Sequence, residues 1–130
     1  MARILVIDDD AQVRSLVARA CSSWSHEVAE AEDGLAATFL MDEEAYDLVI
    51  TDIHMPEMDG IELVTSLRDQ AADVKILAIS GGWSGRAKEE VLLDADLLGA
   101  DLVLPKPFTL DELRFAVDGL LRISGSPPPI

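Results

Sequence analysis

The chain has 130 residues, 49% of them hydrophobic, and a formal charge of −15. That length suits one domain with a real core and no covalent staples. The charge excludes a nucleic-acid binder that tracks phosphates and a protein that docks on an anionic membrane face, because both need a cationic surface.

Cys21 is the sole cysteine, so no internal disulfide can form. It falls on the apolar stripe of a predicted helix and reads as a small buried hydrophobe. No segment reads as a signal peptide or as a bilayer-spanning run, so a cytoplasmic protein is expected.

Short β-branched runs alternate with helical patterns along the chain. Residues 3–7 read as a strand. Val13, Leu16, Val17, Ala20, Cys21 and Trp24 then recur at helical spacing. A second strand is predicted at 26–31. Asp33 is placed to cap a helix to about residue 41 through Leu35, Ala36, Phe39 and Leu40. Residues 47–51 form a third strand. After a loop over 56–60, Ile61, Val64 and Leu67 mark a third helix. A fourth strand spans 74–80, and a glycine-rich link, 81–85, precedes a helix over 86–98. A short fifth strand covers 101–104. Thr109-Leu110-Asp111-Glu112 is a capping box that opens a last helix, with Leu113, Val117, Leu120 and Leu121 on its buried face. Residues 124–130 hold three prolines and read as a loose tail. The expected domain is 1–123, with 124–130 as the tail.

Five strands alternating with five helices imply an α/β fold, a doubly wound parallel sheet covered on both faces. Ligands of such sheets bind beyond the carboxyl ends of the strands. The polar residues ending these strands are Asp8-Asp9-Asp10, Asp52 and Ser80, with Lys106 just after the fifth. Asp52 is the most telling. A carboxylate at the end of a buried strand is poorly placed for packing and well placed for chemistry. Neighbouring carboxylates repel unless a cation joins them, and all-oxygen ligation suits Mg²⁺, Mn²⁺ or Ca²⁺.

Asp8-Asp9, Thr51-Asp52 with Met55-Pro56 and Asp59-Gly60, Ser80, and Lys106-Pro107-Phe108 stand in order at the right strand ends. In these motifs the chain closely resembles the receiver domain of two-component response regulators, of the stand-alone, single-domain type. The resemblance covers about residues 2–122. It implies the flavodoxin-like receiver fold, with five strands and five helices. It also implies that Asp52 is the phosphoacceptor, served by a histidine kinase or phosphotransfer protein. Asp9 would ligate Mg²⁺ directly (Mn²⁺ could substitute), Asp8 largely through water, Asp52 directly, and the His54 backbone carbonyl would complete the set. Ser80 and Lys106 would bind the phosphoryl oxygens and act as the switch. The protein would be a phosphorylation-controlled signalling switch, not an enzyme on a free substrate. It would catalyse only its own phosphorylation and dephosphorylation.

Other readings apply to single residues. Asp10 reads as a helix N-cap, and Asp59-Gly60 as a turn opening the third helix. The His54 side chain is expected at the pocket mouth. His26 and Trp24 read as structural. Asp8-Asp9-Asp10 also resembles the Asp-x-Asp of haloacid-dehalogenase-like phosphatases, with Asp8 as nucleophile and Asp10 as acid.

Three features depart from the family pattern. Val103 stands where the family often has a swinging aromatic ring. The Ser80-to-Lys106 interval is longer than usual, around the glycine-rich link, so Trp83 and Val103 are candidate output contacts. Residues 124–130 are too short for an output module, so either the protein acts by binding a partner protein or the chain was cut from a longer one. A downstream protein target is expected, with no nucleic acid or membrane. The expected state is a monomer or a weak phosphorylation-dependent dimer.

Overall fold

The computed structural model describes residues 2–52, 54–55, 58–71, 73–80 and 99–123. In chain order they form β1 (Arg3–Ile7), α1 (Ala11–Ser23), β2 (Glu27–Ala31), α2 (Gly34–Glu43), β3 (Leu48–Asp52), β4 (His54–Met55), β5 (Met58–Asp59), α3 (Gly60–Gln70), β6 (Lys75–Ser80), β7 (Leu102–Pro105) and α4 (Leu110–Ile123). Five strands make one sheet in the order β2-β1-β3-β6-β7. Every neighbouring pair is parallel. The chain therefore winds outward from β1 to β2, then crosses to β3 and winds the other way. The crevice lies where that order reverses, beyond the carboxyl ends of β1 and β3.

Strand residues alternate between two cores, as the period of 2 requires. Ile4, Val6, Leu48, Ile50, Leu77 and Ile79 face one way, against Val17 and Cys21 of α1 and Leu113, Val117 and Leu120 of α4. Leu5, Ile7, Val49 and Ile76 face the other way, against Ala37 of α2 and Leu63, Val64 and Leu67 of α3. Both faces are covered, so the strands read as continuous apolar runs rather than alternating ones. Each fully buried Leu or Ile contributes roughly 2 to 3 kcal/mol. Cys21 is wholly buried, and burial pushes its thiol up to about 11, as suits an inert core residue.

The caps are where the sequence puts them. Asp10 Oδ1 accepts from the Gln12 and Val13 amides, and Asp33 Oδ1 from the Ala36 amide. The Thr109 hydroxyl accepts from the Glu112 amide, while the Glu112 carboxylate accepts from the Thr109 amide. That is the reciprocal capping box.

Two helix faces differ from the expected ones. Leu35 is 79% exposed and Phe39 64% exposed, while Gly34 and Ala37 of α2 are buried and Ala36 and Leu40, as expected, pack against the core at part burial. Residues 34–41 carry apolar side chains around most of the helix, so both 35/36/39/40 and 34/37/41 fit its period. The small face wins because it lets α2 lie close against β1 and β2, where Ala29 and Ala31 line the same cluster. Leu16 of α1 is likewise exposed, beside the buried Val17 and Ala20.

A small antiparallel pair, β4 with β5, lies in the loop after β3. Strands of two residues leave no periodic signal, and the sequence showed only a turn there. The predicted helix over 86–98, the link 81–85 and the tail 124–130 lie outside the described residues.

At the opposite end of the sheet from the crevice, Arg68 joins three segments. Its guanidinium donates to the Val74 carbonyl at 2.5 Å and the Gly99 carbonyl at 3.0 Å, and meets the Asp101 carboxylate at 2.7 Å. The same Asp101 oxygen accepts from the Ile76 amide. Gly99 has φ +81°, a left-handed turn that glycine adopts without strain. This clamp sets the approach to β7 and therefore the start of the strand that leads to Lys106. Arg68→Ala should lower unfolding free energy by about 1 to 2 kcal/mol, since it removes charge-assisted bonds of which the one to the Val74 carbonyl is part-buried and the other two are exposed. The measurement is a urea midpoint at constant slope. An unchanged midpoint would show that water replaces the clamp.

Candidate functional site

Asp8 follows β1 directly. Its amide donates to the Ala31 carbonyl at 3.1 Å, which extends the β1–β2 ladder by one step. Its carboxylate accepts from the Asp10 amide at 2.9 Å, and its carbonyl accepts from Arg14 at 2.8 Å. Asp8 is only 2% exposed, whereas Asp9 is exposed at the crevice mouth. Asp52 closes β3, paired with Ile79, and is 6% exposed. The buried Thr51 hydroxyl donates to the Asp52 carbonyl at 3.0 Å.

One carboxylate oxygen from each of Asp8, Asp9 and Asp52 lies within 4.8 Å of the others. Lys106 enters from the end of β7, its Nζ 3.3 Å from Asp52 Oδ2. Three carboxylates and one ammonium leave an uncompensated negative charge when all are ionised. Burial holds the Asp8 carboxyl well above the usual range, at about 6, and the neighbouring Asp52 and Asp9 charges push the same way. The Asp10 amide and Lys106 oppose that rise. A group of hard oxygen donors with excess negative charge fits a small divalent cation and no soft metal.

The other expected site residues are placed by the backbone. Ser80 ends β6 opposite Pro105, one residue before Lys106. His54 opens β4 opposite Asp59, two residues after Asp52. Val103 is half-buried on β7 and paired with Ala78. Trp83 lies outside the described residues. His26 and Trp24 have the expected structural roles. His26 Nδ1 accepts from the Ala2 amide, and the Trp24 ring lies 5.6 Å from the Arg114 guanidinium.

The model of the response regulator receiver domain matches residues 4–118. The chain belongs to that family.

Similar proteins agree. The "Response regulator MprA" of Mycobacterium sp. (strain KMS) is 41% identical over 121 residues, covering 92% of this chain and 50% of the relative. That of Mycobacterium avium (strain 104) is 40% identical, covering 92% and 51%. The chain thus spans about half the length of the curated relatives it matches. Among solved structures, the Francisella response regulator 1452 receiver domain superposes with a TM-score of 0.82 at 29% identity, over 95% of this chain and 99% of that one. TrrA of Thermotoga maritima, solved in complex with Mg²⁺ and BeF, gives a TM-score of 0.79 at 33% identity, over 92% and 99%.

Response regulators are signalling proteins of two-component systems rather than classical enzymes, and this receiver domain has their flavodoxin-like fold. The phosphatase reading is not favoured, because the Asp10 carboxylate is engaged on the first turn of α1. Among the described residues, no helix is long and apolar enough to cross a membrane. Two contributors escaped the sequence reading. Thr51 was noted only beside Asp52 in the strand-end motif, although a hydroxyl in an apolar run was a signal of the buried hydrogen bond it makes. Arg14 was not singled out at all, because nothing in its sequence neighbourhood marks the distant carbonyl it reaches.

Proposed function

We propose that this receiver domain accepts a phosphoryl group on Asp52 from a phosphohistidine of a histidine kinase or phosphotransfer protein, and then signals by protein–protein contact. The single observation that carries the reading is the meeting of Asp8, Asp9 and Asp52 at the ends of two adjacent strands, with Lys106 on the same Asp52 carboxylate. An Asp52 oxygen attacks phosphorus as the P–N bond of the donor breaks, and the bonding pair leaves with the imidazole. Water later cleaves the acyl phosphate, restoring Asp52 and releasing inorganic phosphate.

Phosphoryl transfer asks a protein mainly for charge placement. Asp8, Asp9, Asp52 and the His54 carbonyl would hold Mg²⁺, or Mn²⁺ in its place. The bound ion would supply positive charge against the repulsion between carboxylate and phosphoryl oxygens. TrrA, solved with Mg²⁺ and BeF, supports this assignment by similarity. Lys106, whose Nζ lies 3.3 Å from Asp52 Oδ2, is assigned to balance charge on the phosphoryl oxygens, and the Ser80 hydroxyl to donate to one of them. Movement of Ser80 toward that oxygen would start the switch. Val103 and Trp83 are the proposed output contacts, in place of a swinging aromatic ring.

The proposed unit is 1–123, with 124–130 as a tail. It is assigned to the cytoplasm, as a monomer or a weak phosphorylation-dependent dimer. The strongly acidic surface makes nucleic acid and anionic membranes poor partners.

The test is incubation with Mg²⁺ and acetyl phosphate, followed by intact mass and site mapping. One phosphoryl addition is expected, on Asp52. Labelling mapped to Asp8 would overturn the reading.

A further inference from the structure

We infer that Arg14, on the first turns of α1, is a positioning residue that sets the cation affinity of the Asp8–Asp9 loop. The inference rests on the metal reading of Asp8, Asp9 and Asp52 and names a determinant outside that donor set.

The Asp9 side chain is exposed, and among the described residues no protein hydrogen bond or ion pair orients it. Its direction therefore follows from its backbone. The peptide that joins Asp8 to Asp9 carries the Asp8 carbonyl, and Arg14 Nη1 donates to that oxygen at 2.8 Å. Arg14 is itself aimed by Glu30 on β2, whose carboxylate accepts from Nε at 3.3 Å. The Arg14 side chain is 19% exposed. One guanidinium thus spans from the edge strand to the peptide between two proposed ligands. Lysine has no such fork.

Charge and geometry predict opposite signs here, which makes the inference testable. Arg14 is a cation beside an acidic cluster. If it acted only through charge, its removal would tighten divalent binding. If it acts by holding the peptide, its removal should weaken binding, because ligands held in place lose less freedom when the ion arrives.

The experiment is calorimetric titration of the whole chain with MgCl₂, for wild type, Arg14→Ala and Arg14→Lys, with melting in chelator as the control for folding. Alanine keeps helix propensity at that position. Arg14→Ala should raise the Mg²⁺ dissociation constant about tenfold, the scale found when partners that orient metal ligands are removed. Arg14→Lys should raise it by about twofold, because the charge remains and the fork is lost. Tighter or unchanged binding in Arg14→Ala would overturn the inference. If Arg14→Ala does not fold, Arg14→Lys decides, and a dissociation constant equal to that of wild type would overturn it. Wild type with no saturable Mg²⁺ binding would instead overturn the metal reading beneath it.

Discussion

Asp52→Asn should fold normally and gain no phosphoryl mass from acetyl phosphate at any Mg²⁺ concentration. The loss should be complete rather than partial, because an amide cannot form the acyl phosphate and, among the described residues, no other carboxylate has the same setting. Asp8 is almost fully buried and tied to the Asp10 amide, and Asp10 itself caps α1. Asp9 is exposed, and the ion pair described for Lys106 is with Asp52 and not with Asp9. Among the described residues, only Asp52 combines the end of a central strand with a lysine partner at 3.3 Å. Stability should change little, within about 1 kcal/mol. The variant deprives Lys106 of its partner, but Lys106 is 25% exposed and can turn to water. It also relieves repulsion with Asp8 and Asp9. Phosphopeptide mapping together with thermal melting tests both halves. Retained labelling would remove Asp52 from its proposed role.

Asp8→Asn should make the protein more stable in chelator and unresponsive to Mg²⁺. The Asp8 carboxyl rises from an ordinary 3.8 to about 6 in the fold, so the folded state holds its proton more tightly than the unfolded chain does. Between those values the folded state carries more protons, and stability falls as pH rises through the window. Above about 6 the penalty is complete, at roughly 2 to 3 kcal/mol. Below the unfolded value both states are protonated and the group contributes nothing. Asparagine keeps an oxygen for the Asp10 amide and buries no charge, so the variant should melt several degrees higher at neutral pH, on the order of the shift such an energy gives a domain of this size. Its melting temperature should also lack this part of the fall between pH 4 and 6. In wild type, Mg²⁺ should raise the melting temperature above pH 6 and lose that effect as pH falls, because the proton and the ion compete for one carboxylate. Equal Mg²⁺ stabilisation of wild type and Asp8→Asn would place the ion elsewhere on this acidic surface. A variant less stable than wild type in chelator would show that the buried charge is already compensated.

These expectations set stability against function at one position. On these expectations Asp8 would destabilise the metal-free fold, and its penalty would be removed by the cation that the activity is proposed to use. Strain of this kind is characteristic of working sites. The Arg68 clamp at the other end of the sheet has the opposite character, since it holds β6 and the approach to β7 and touches no group proposed for the chemistry.

Much of the molecule was legible in the residues themselves, wherever the signal is local. The runs Ile4-Leu5-Val6-Ile7 and Leu48-Val49-Ile50 announce strands buried on both faces, because a half-exposed strand would alternate. Asp10, Asp33 and Thr109 mark helix starts by short-range capping chemistry, which needs no tertiary partner. Even the grouping of Asp8, Asp9, Asp52 and Lys106 follows from the rule that parallel strands deliver their carboxyl ends to one edge. Tertiary structure alone decided the remainder. Which face of α2 is buried could not be read, since Leu35, Phe39, Ala37 and Leu40 all satisfy a helical period. Close approach to the alanines of β2 selected the small face. The roles of Arg14 and Arg68 were invisible for a related reason. Each donates to carbonyls of segments distant in sequence, and backbone acceptors leave no trace in side-chain identity. The raised proton affinity of Asp8 likewise depends on burial that the neighbouring strands create, not on the residue or its neighbours in sequence. The sequence by itself determined which groups meet at the sheet edge. Their charge state and orientation were decided by long-range packing.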